Sequence, residues 1–242
     1  MPRVNVPYDV PLEQAAIFWF GRVSPTDNYS DVRVIYDETG ILLRITTFDR
    51  RLWYNPDAAG NDLTSWDAAT VYLGPGSNTG EQPTGTYRFD AQLVWWERRD
   101  ASFQTAYRGN GGTWEQAAID FKTASNWRGD EPNNHGDDRG WWLQYRIPFE
   151  SLGLDGPPRQ GTVWRFAVAV HDRDDLNTPI GDTLWPANMV DNQPETWGQL
   201  AFGLPTYSPL PVSVQGTTTI RHGLHGATVV DADVGGSSVC GA

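Results

Sequence analysis

Apolar and polar residues alternate along most of this chain. Between Asp31 and Tyr36, the apolar Val32, Val34 and Tyr36 are interleaved with Asp31 and Arg33. Asp37-Glu38-Thr39-Gly40 then supplies a glycine-bearing turn, and Ile41, Leu43 and Ile45 alternate with Arg44 and Thr46. The same period of two runs through Tyr87–Trp96, Trp141–Ile147 and Thr162–His171, where Trp164, Phe166, Val168 and Val170 share one face. Shorter runs at Ala15–Phe20, Asp67–Leu73, Phe103–Arg108, Trp114–Phe121 and Trp197–Gly203 bring the set to about ten strands. The only helical hint is one turn at Pro148–Leu152. Strands with one apolar and one polar face pair antiparallel and stack face to face. The pattern therefore predicts an all-β fold, an antiparallel β-sandwich with long loops and little or no helix.

Three long stretches interrupt the strands: Asp49–Ser65, Thr123–Arg139 and Arg173–Glu195. Loops of that length carry function more often than short ones, and each contains a tryptophan, Trp53, Trp127 or Trp185. Beyond Leu204 the composition turns to Pro, Ser, Thr, Gly and Val. The expected organisation is a sandwich domain over 1–204, a Pro-rich linker over 205–215, and the start of a following module or a disordered tail over 216–242.

Charge narrows the partners. The 242 residues carry 18 basic and 30 acidic groups, a formal net charge of −12, which disfavours phosphate backbones and anionic lipid surfaces. No nucleic acid and no membrane is expected, since no apolar run nears the ~20 residues of a membrane helix. Cys240 is the single cysteine, so there is no internal disulfide and no cysteine metal centre. Met1-Pro2-Arg3 lacks the order of a signal peptide. The expectation is an excised piece of a secreted, extracellular, multimodular bacterial protein.

The 12 tryptophans change the picture further. An indole packs a core well, and exposed it offers a flat face to the C–H side of a sugar ring. Planar polar side chains then bind the hydroxyl edge. Trp66, Trp127 and Trp185 lie in loops beside such groups, among them Asn126, Arg128 and Asn188, and Trp53 lies in the first long loop. Trp66, Trp185, Trp127, Asn188, Trp53 and Arg128 are the expected carbohydrate-binding residues. Trp95, Trp141 and Trp164 sit on apolar strand faces and read as core. Trp96 and Trp142, on the opposite mixed faces, offer a second, face-binding arrangement. Two acidic stretches, 171–177 and 27–31, provide oxygen ligands of the kind calcium prefers, with Asp172, Asp174, Asp175 and Asp27 as the expected metal ligands. No Gly-x-Ser-x-Gly, His-Glu-x-x-His or phosphate-binding glycine loop is present, and no catalytic residue is assigned.

The run Asp31–Asp37, then Ile41–Asp49, then Trp66–Leu73 resembles the opening half of family 9 carbohydrate-binding modules and their DOMON-like relatives. Trp142–Leu152, Phe166–Asp172 and Trp197-Gly198-Gln199-Leu200 resemble the second half. The resemblance implies an antiparallel sandwich without catalysis, a sugar stacked between aromatic rings, and structural calcium elsewhere. Trp66 matches one stacking position. The partner position near Met189–Asp191 has no aromatic residue and Trp185 precedes it, which leaves an open platform or a different ligand. The implied function is a non-catalytic module that binds polysaccharide or oligosaccharide and serves neighbouring modules of the same polypeptide. Two alternatives stay open. One is a haem-binding electron-transfer domain using Met189 with His135, His171 or Lys122. The other is a purely structural sandwich.

Overall fold

The computed structural model describes residues 1–24, 27–57, 60–76, 85–92, 103–177 and 179–204, without the side chains of 60–62, together with the backbone of 219–222 and 228–231. The chain divides into Met1–Pro205 and Thr206–Ala242. In the second unit, β14 (Thr219–His222) and β15 (Thr228–Asp231) pair antiparallel. The expected linker lies outside the described residues, as do Trp95 and Trp96.

The first unit is a sandwich of two sheets. The smaller runs β2 (Ala16–Gly21), β3 (Tyr29–Tyr36), β4 (Gly40–Phe48), β10 (Gly140–Pro148) and β9 (Lys122–Arg128) in spatial order. The larger runs β1 (Arg3–Val6), β13 (Gly198–Phe202), β11 (Val163–Asp172), β5 (Ala68–Gly74), β6 (Tyr87–Gln92), β7 (Gln104–Asn110) and β8 (Thr113–Gln116). A further strand, β12 (Ile180–Trp185), also pairs with β11.

The alternation read from the sequence explains the core. Val32, Val34, Leu43, Ile45, Leu143 and Tyr145 point inward from the smaller sheet, and Val71, Phe89, Phe166 and Val168 meet them from the larger. Trp141 and Trp164 are fully buried, as their apolar faces predict. The helical hint is a single 3-10 turn, Glu150–Leu152, closed by Gly153 at φ 82°, a conformation that glycine adopts without steric cost.

Three features depart from expectation. The β1–β13 pair is parallel. The anticipated strand Trp114–Phe121 stops at Gln116, and β9 instead occupies the start of the presumed loop. β12 occupies part of the third loop. The reason is common to both loops: β9 lies at a sheet edge and β12 off the main strand path, and both bury few side chains, so neither needs the apolar alternation that reveals a central strand.

Candidate functional site: a carboxylate triad beneath a polar cleft

Three strand ends meet at one end of the sandwich. Asp49 follows β4 of the smaller sheet, Asp67 precedes β5 of the larger, and Asp172 ends β11. Because β5 and β11 run antiparallel with Ala68 opposite His171, Asp67 and Asp172 become neighbours. The carboxylate oxygens of all three lie within 4.8 Å of one another, and all three residues are buried.

Neutral donors hold two of them in place. Asp49 accepts from the Arg51 amide at 2.9 Å and from the Trp141 indole N–H at 3.0 Å. Asp67 accepts from the amides of Trp53 at 2.6 Å and Arg173 at 2.9 Å. Asp172 Oδ1 has no hydrogen-bond partner, and Asn28 approaches that carboxyl without completing a bond. Among the described residues no arginine or lysine pairs with the triad. The adjacent Arg173 directs its guanidinium to the carbonyls of Ser65 and Leu176 instead.

Buried like charges disfavour ionisation. Burial, reinforced by Asp172, holds the Asp49 carboxyl well above its ordinary range. Burial, reinforced by Asp49 and Asp172, does the same to Asp67. Asp172 is pushed up to about 7 by burial and by Asp174.

Asp49 of the triad also lines a cleft of about 1040 Å³. Its walls come from 23–24, 27–29, 48–51, 128–129, 135–139 and Asp174, and include Asn28, Tyr29, Phe48, Arg51, Arg128 and His135. The 49–54 segment is pinned to the 133–138 loop, where Leu52 donates to Asp138 at 3.1 Å and Tyr54 to the Asn133 side chain at 2.8 Å. Arg51 contacts the His135 ring at 2.8 Å. Phe48 is 57% exposed at the rim, with its ring 5.8 Å from that of Tyr29.

Of the acids expected as metal ligands, Asp172 joins the triad. Asp174 is half-buried on the cleft wall, and Asp27 is exposed at the cleft, bonded to Ser24. Asp175 accepts from the Asn177 amide in a turn. Asp27 and Asp175 serve local turns, as Asp commonly does, whereas Asp174 stands close enough to the triad to reinforce the raised pKa values of Asp172 and Asp49.

The expected ring-stacking residues scatter. Arg128 lines the cleft. Trp185 is 8% exposed and packs on Phe18, with ring centroids 4.3 Å apart, so it belongs to the core. Trp53 is 5% exposed and is likewise interior. Trp127 faces inward from β9, packs on the core and donates to the Asp130 carbonyl. Trp66 is half-buried, with the Arg173 guanidinium on its ring. Asn188 is exposed and does not line the cleft. Sequence reasoning missed Asp49 and Asp67. Their signal was an isolated acid at the end of an apolar strand, a place where a lone carboxylate needs a reason to be buried.

A second polar chain crosses the larger sheet. Asp182 meets His171 Nδ1 at 2.8 Å, and His171 Nε2 meets the Thr70 hydroxyl at 2.9 Å. The order imitates an acid–base–nucleophile triad. However, Thr70 donates its hydrogen to Asp90 at 2.7 Å and is wholly buried. A hydroxyl that must accept from the imidazole is not activated by it.

No family model matches the chain, and no curated protein matches it. Solved structures do. A Bacteroides uniformis protein provisionally assigned as carbohydrate-binding superposes with a TM-score of 0.63 at 13% identity, over 83% of this chain and 99% of that one. A family 9 carbohydrate-binding module from Caldicellulosiruptor kristjanssonii, solved with cellotriose, superposes with a TM-score of 0.54 at 15% identity, over 87% and 99%. The chain thus has an all-β sandwich fold of the family 9 carbohydrate-binding-module type.

Proposed function

We propose that the sandwich is a non-catalytic carbohydrate-binding module, taking a polysaccharide or oligosaccharide in the cleft that Asp49 lines. The observation that carries this reading is the lining of the cleft. Asn28, Arg51, Arg128 and His135 present planar polar edges, and Phe48 keeps an exposed ring beside Tyr29. That combination suits a pyranose, which has an apolar face and a polar edge. The two structural neighbours support it. Stacking falls to Phe48 and Tyr29, because Trp53 and Trp185 have no ring face to offer.

Calcium fits the triad. Its donors are all oxygen, Asp172 Oδ1 is buried without a partner, and three carboxylates stand close together with no cation paired to them among the described residues. Held by Asp49, Asp67 and Asp172, the ion would tie β4 to β5 and β11 and so fix the cleft walls. As part of a secreted multimodular protein, the module would raise the effective concentration of its neighbours at a polysaccharide.

For the haem alternative, Met189 packs with Tyr72, Ala167, Ala169 and Trp197, and both ring nitrogens of His171 are engaged. His135 lines the cleft and contacts Arg51, and Lys122 is exposed at the edge strand β9.

Affinity electrophoresis against a panel of polysaccharides tests the proposal. Retardation by at least one, lost in Phe48→Ala and Arg128→Ala without a change in melting temperature, is the expected result. A folded protein retarded by none would leave a structural sandwich.

A further inference from the structure

The outer face of the smaller sheet carries a charge that the rest of the chain does not. Strand register lays its outward residues in rows. Trp19, Asp31, Thr46, Trp142 and Asn126 form one row across β2, β3, β4, β10 and β9. Ile17, Arg33, Arg44, Gln144 and Ala124 form the next.

Arg33 and Arg44 are direct cross-strand partners. Like charges placed opposite each other destabilise a sheet. One acid serves both: Asp31 Oδ1 lies 3.5 Å from Arg33, and Arg44 adds a more distant attraction. Arg44 is also laid flat, its guanidinium 4.1 Å from the centroid of the Trp142 ring. Outward positions on these strands further hold Lys122 and Arg146, of which Arg146 is paired with Asp37, while Arg128 lies at the cleft. A cationic surplus therefore gathers on one face of a protein whose formal charge is −12. In the same area Trp19 is 60% exposed and Ile17 is also exposed. Two arginines opposed across strands with one acid between them, beside an exposed ring, make a cationic surface with an apolar patch of the kind that binds a ligand.

We infer that this face binds an acidic polysaccharide, a chain of uronic acid units whose carboxylates lie on Arg33 and Arg44 and whose ring stacks on Trp19. This inference rests on the carbohydrate-binding reading and adds a ligand class and a second surface to it. Guanidinium groups bind carboxylates in a fork, and the stack on Trp142 holds that of Arg44 in one orientation. Trp19 and Trp142 are three strand steps apart, about 14 Å, so the face accommodates an extended chain across the strands. Nucleic acid shares the need for cations and rings. Its denser phosphate charge is opposed by the acidic remainder of the protein, which favours the sparser charge of a uronan.

Affinity electrophoresis of the whole chain tests this with four gels. These contain polygalacturonate, the same polymer after carboxyl reduction, a neutral β-glucan, and single-stranded DNA. Polygalacturonate is expected to retard the protein at least tenfold more strongly than its reduced form. The doubly substituted Arg33→Gln, Arg44→Gln protein should lose that excess, and Trp19→Ala should weaken retention by polygalacturonate. Comparing the two polymer forms requires no variant, so the test survives a variant that fails to fold. Equal retention by both forms, or retention by polygalacturonate that ignores all three substitutions, overturns the inference while leaving glycan binding in place. DNA retarding the protein as strongly as polygalacturonate overturns it in favour of a polyphosphate partner. Retention by no polysaccharide overturns both readings.

Discussion

The guanidinium of Arg173 lies 4.4 Å from the centroid of the Trp66 ring, and the next residue after that tryptophan, Asp67, accepts the Arg173 amide. Trp66 and Asp67 are thereby fastened to the end of β11. The ring that a family resemblance would assign to sugar stacking has one face occupied by the protein itself. Trp66→Ala is expected to destabilise the fold by about 1–2 kcal/mol through the lost stack and packing, as measured by urea denaturation. An unchanged midpoint would show that the indole is free for a ligand.

Metal-free protein should lose stability as pH rises. Asp172 has a folded-state pKa of about 7 against an unfolded value near 3.9, and Asp49 and Asp67 are shifted in the same direction. A raised carboxyl pKa means the folded state holds its proton more tightly. The associated stabilisation is complete below about pH 4 and is lost as pH climbs to about 7, on the order of a few kcal/mol. Calcium should reverse the trend, because deprotonated oxygens bind it better. Melting temperatures across that range, in chelator and in calcium, check both signs. A chelated protein that grows more stable toward neutral pH would contradict the account of the triad.

Asp67→Asn should divide the two conditions. It removes the ionisable group but keeps only one carbonyl acceptor, so one of the Trp53 and Arg173 amides, which bond different Asp67 oxygens, loses its partner. In chelator the melting temperature of the variant should change less between about pH 4 and pH 7 than that of the wild type, since one of the buried like charges is gone. Added calcium should raise its melting temperature less than that of the wild type. Equal calcium shifts for the two proteins would remove Asp67 from the site.

Trp185 and Phe48 make a paired contrast. Trp185 packs between Phe18 and Phe166, so Trp185→Ala should cost about 3–5 kcal/mol. Phe48 is more than half exposed, and Phe48→Ala should stay within about 0.5 kcal/mol of wild type while weakening glycan binding. Thermal melts beside binding titrations separate the two. A large stability loss in Phe48→Ala would make it a packing residue.

Much of the architecture was legible because central strands need a dry face. Leu43, Phe89, Leu143 and Trp164 announced their strands by alternation, and all four are core residues. Peripheral strands β9 and β12 escaped notice because Lys122–Arg128 and Ile180–Trp185 bury little. The triad was half legible. Asp172 stood in a visible acidic run, of which Asp174 lines the cleft beside Asp49 and Asp175 accepts in a local turn. Asp49 and Asp67 are each alone in sequence, and only the meeting of β4, β5 and β11 brings them to Asp172. Tryptophan burial was the least legible feature. Period-two alternation places Trp141 and Trp164, but loop position says nothing about whether Trp53 or Trp185 folds inward.

Amide chemical-shift mapping is the most direct test of the cleft as the glycan site, using short oligosaccharides cut from whichever polysaccharide retards the protein. Saturable shifts at Phe48, Arg51, Arg128 and His135, with Trp185 and the β12 strand undisturbed, are the predicted outcome. Saturable shifts that leave those four residues unmoved would place the sugar elsewhere and contradict the proposal.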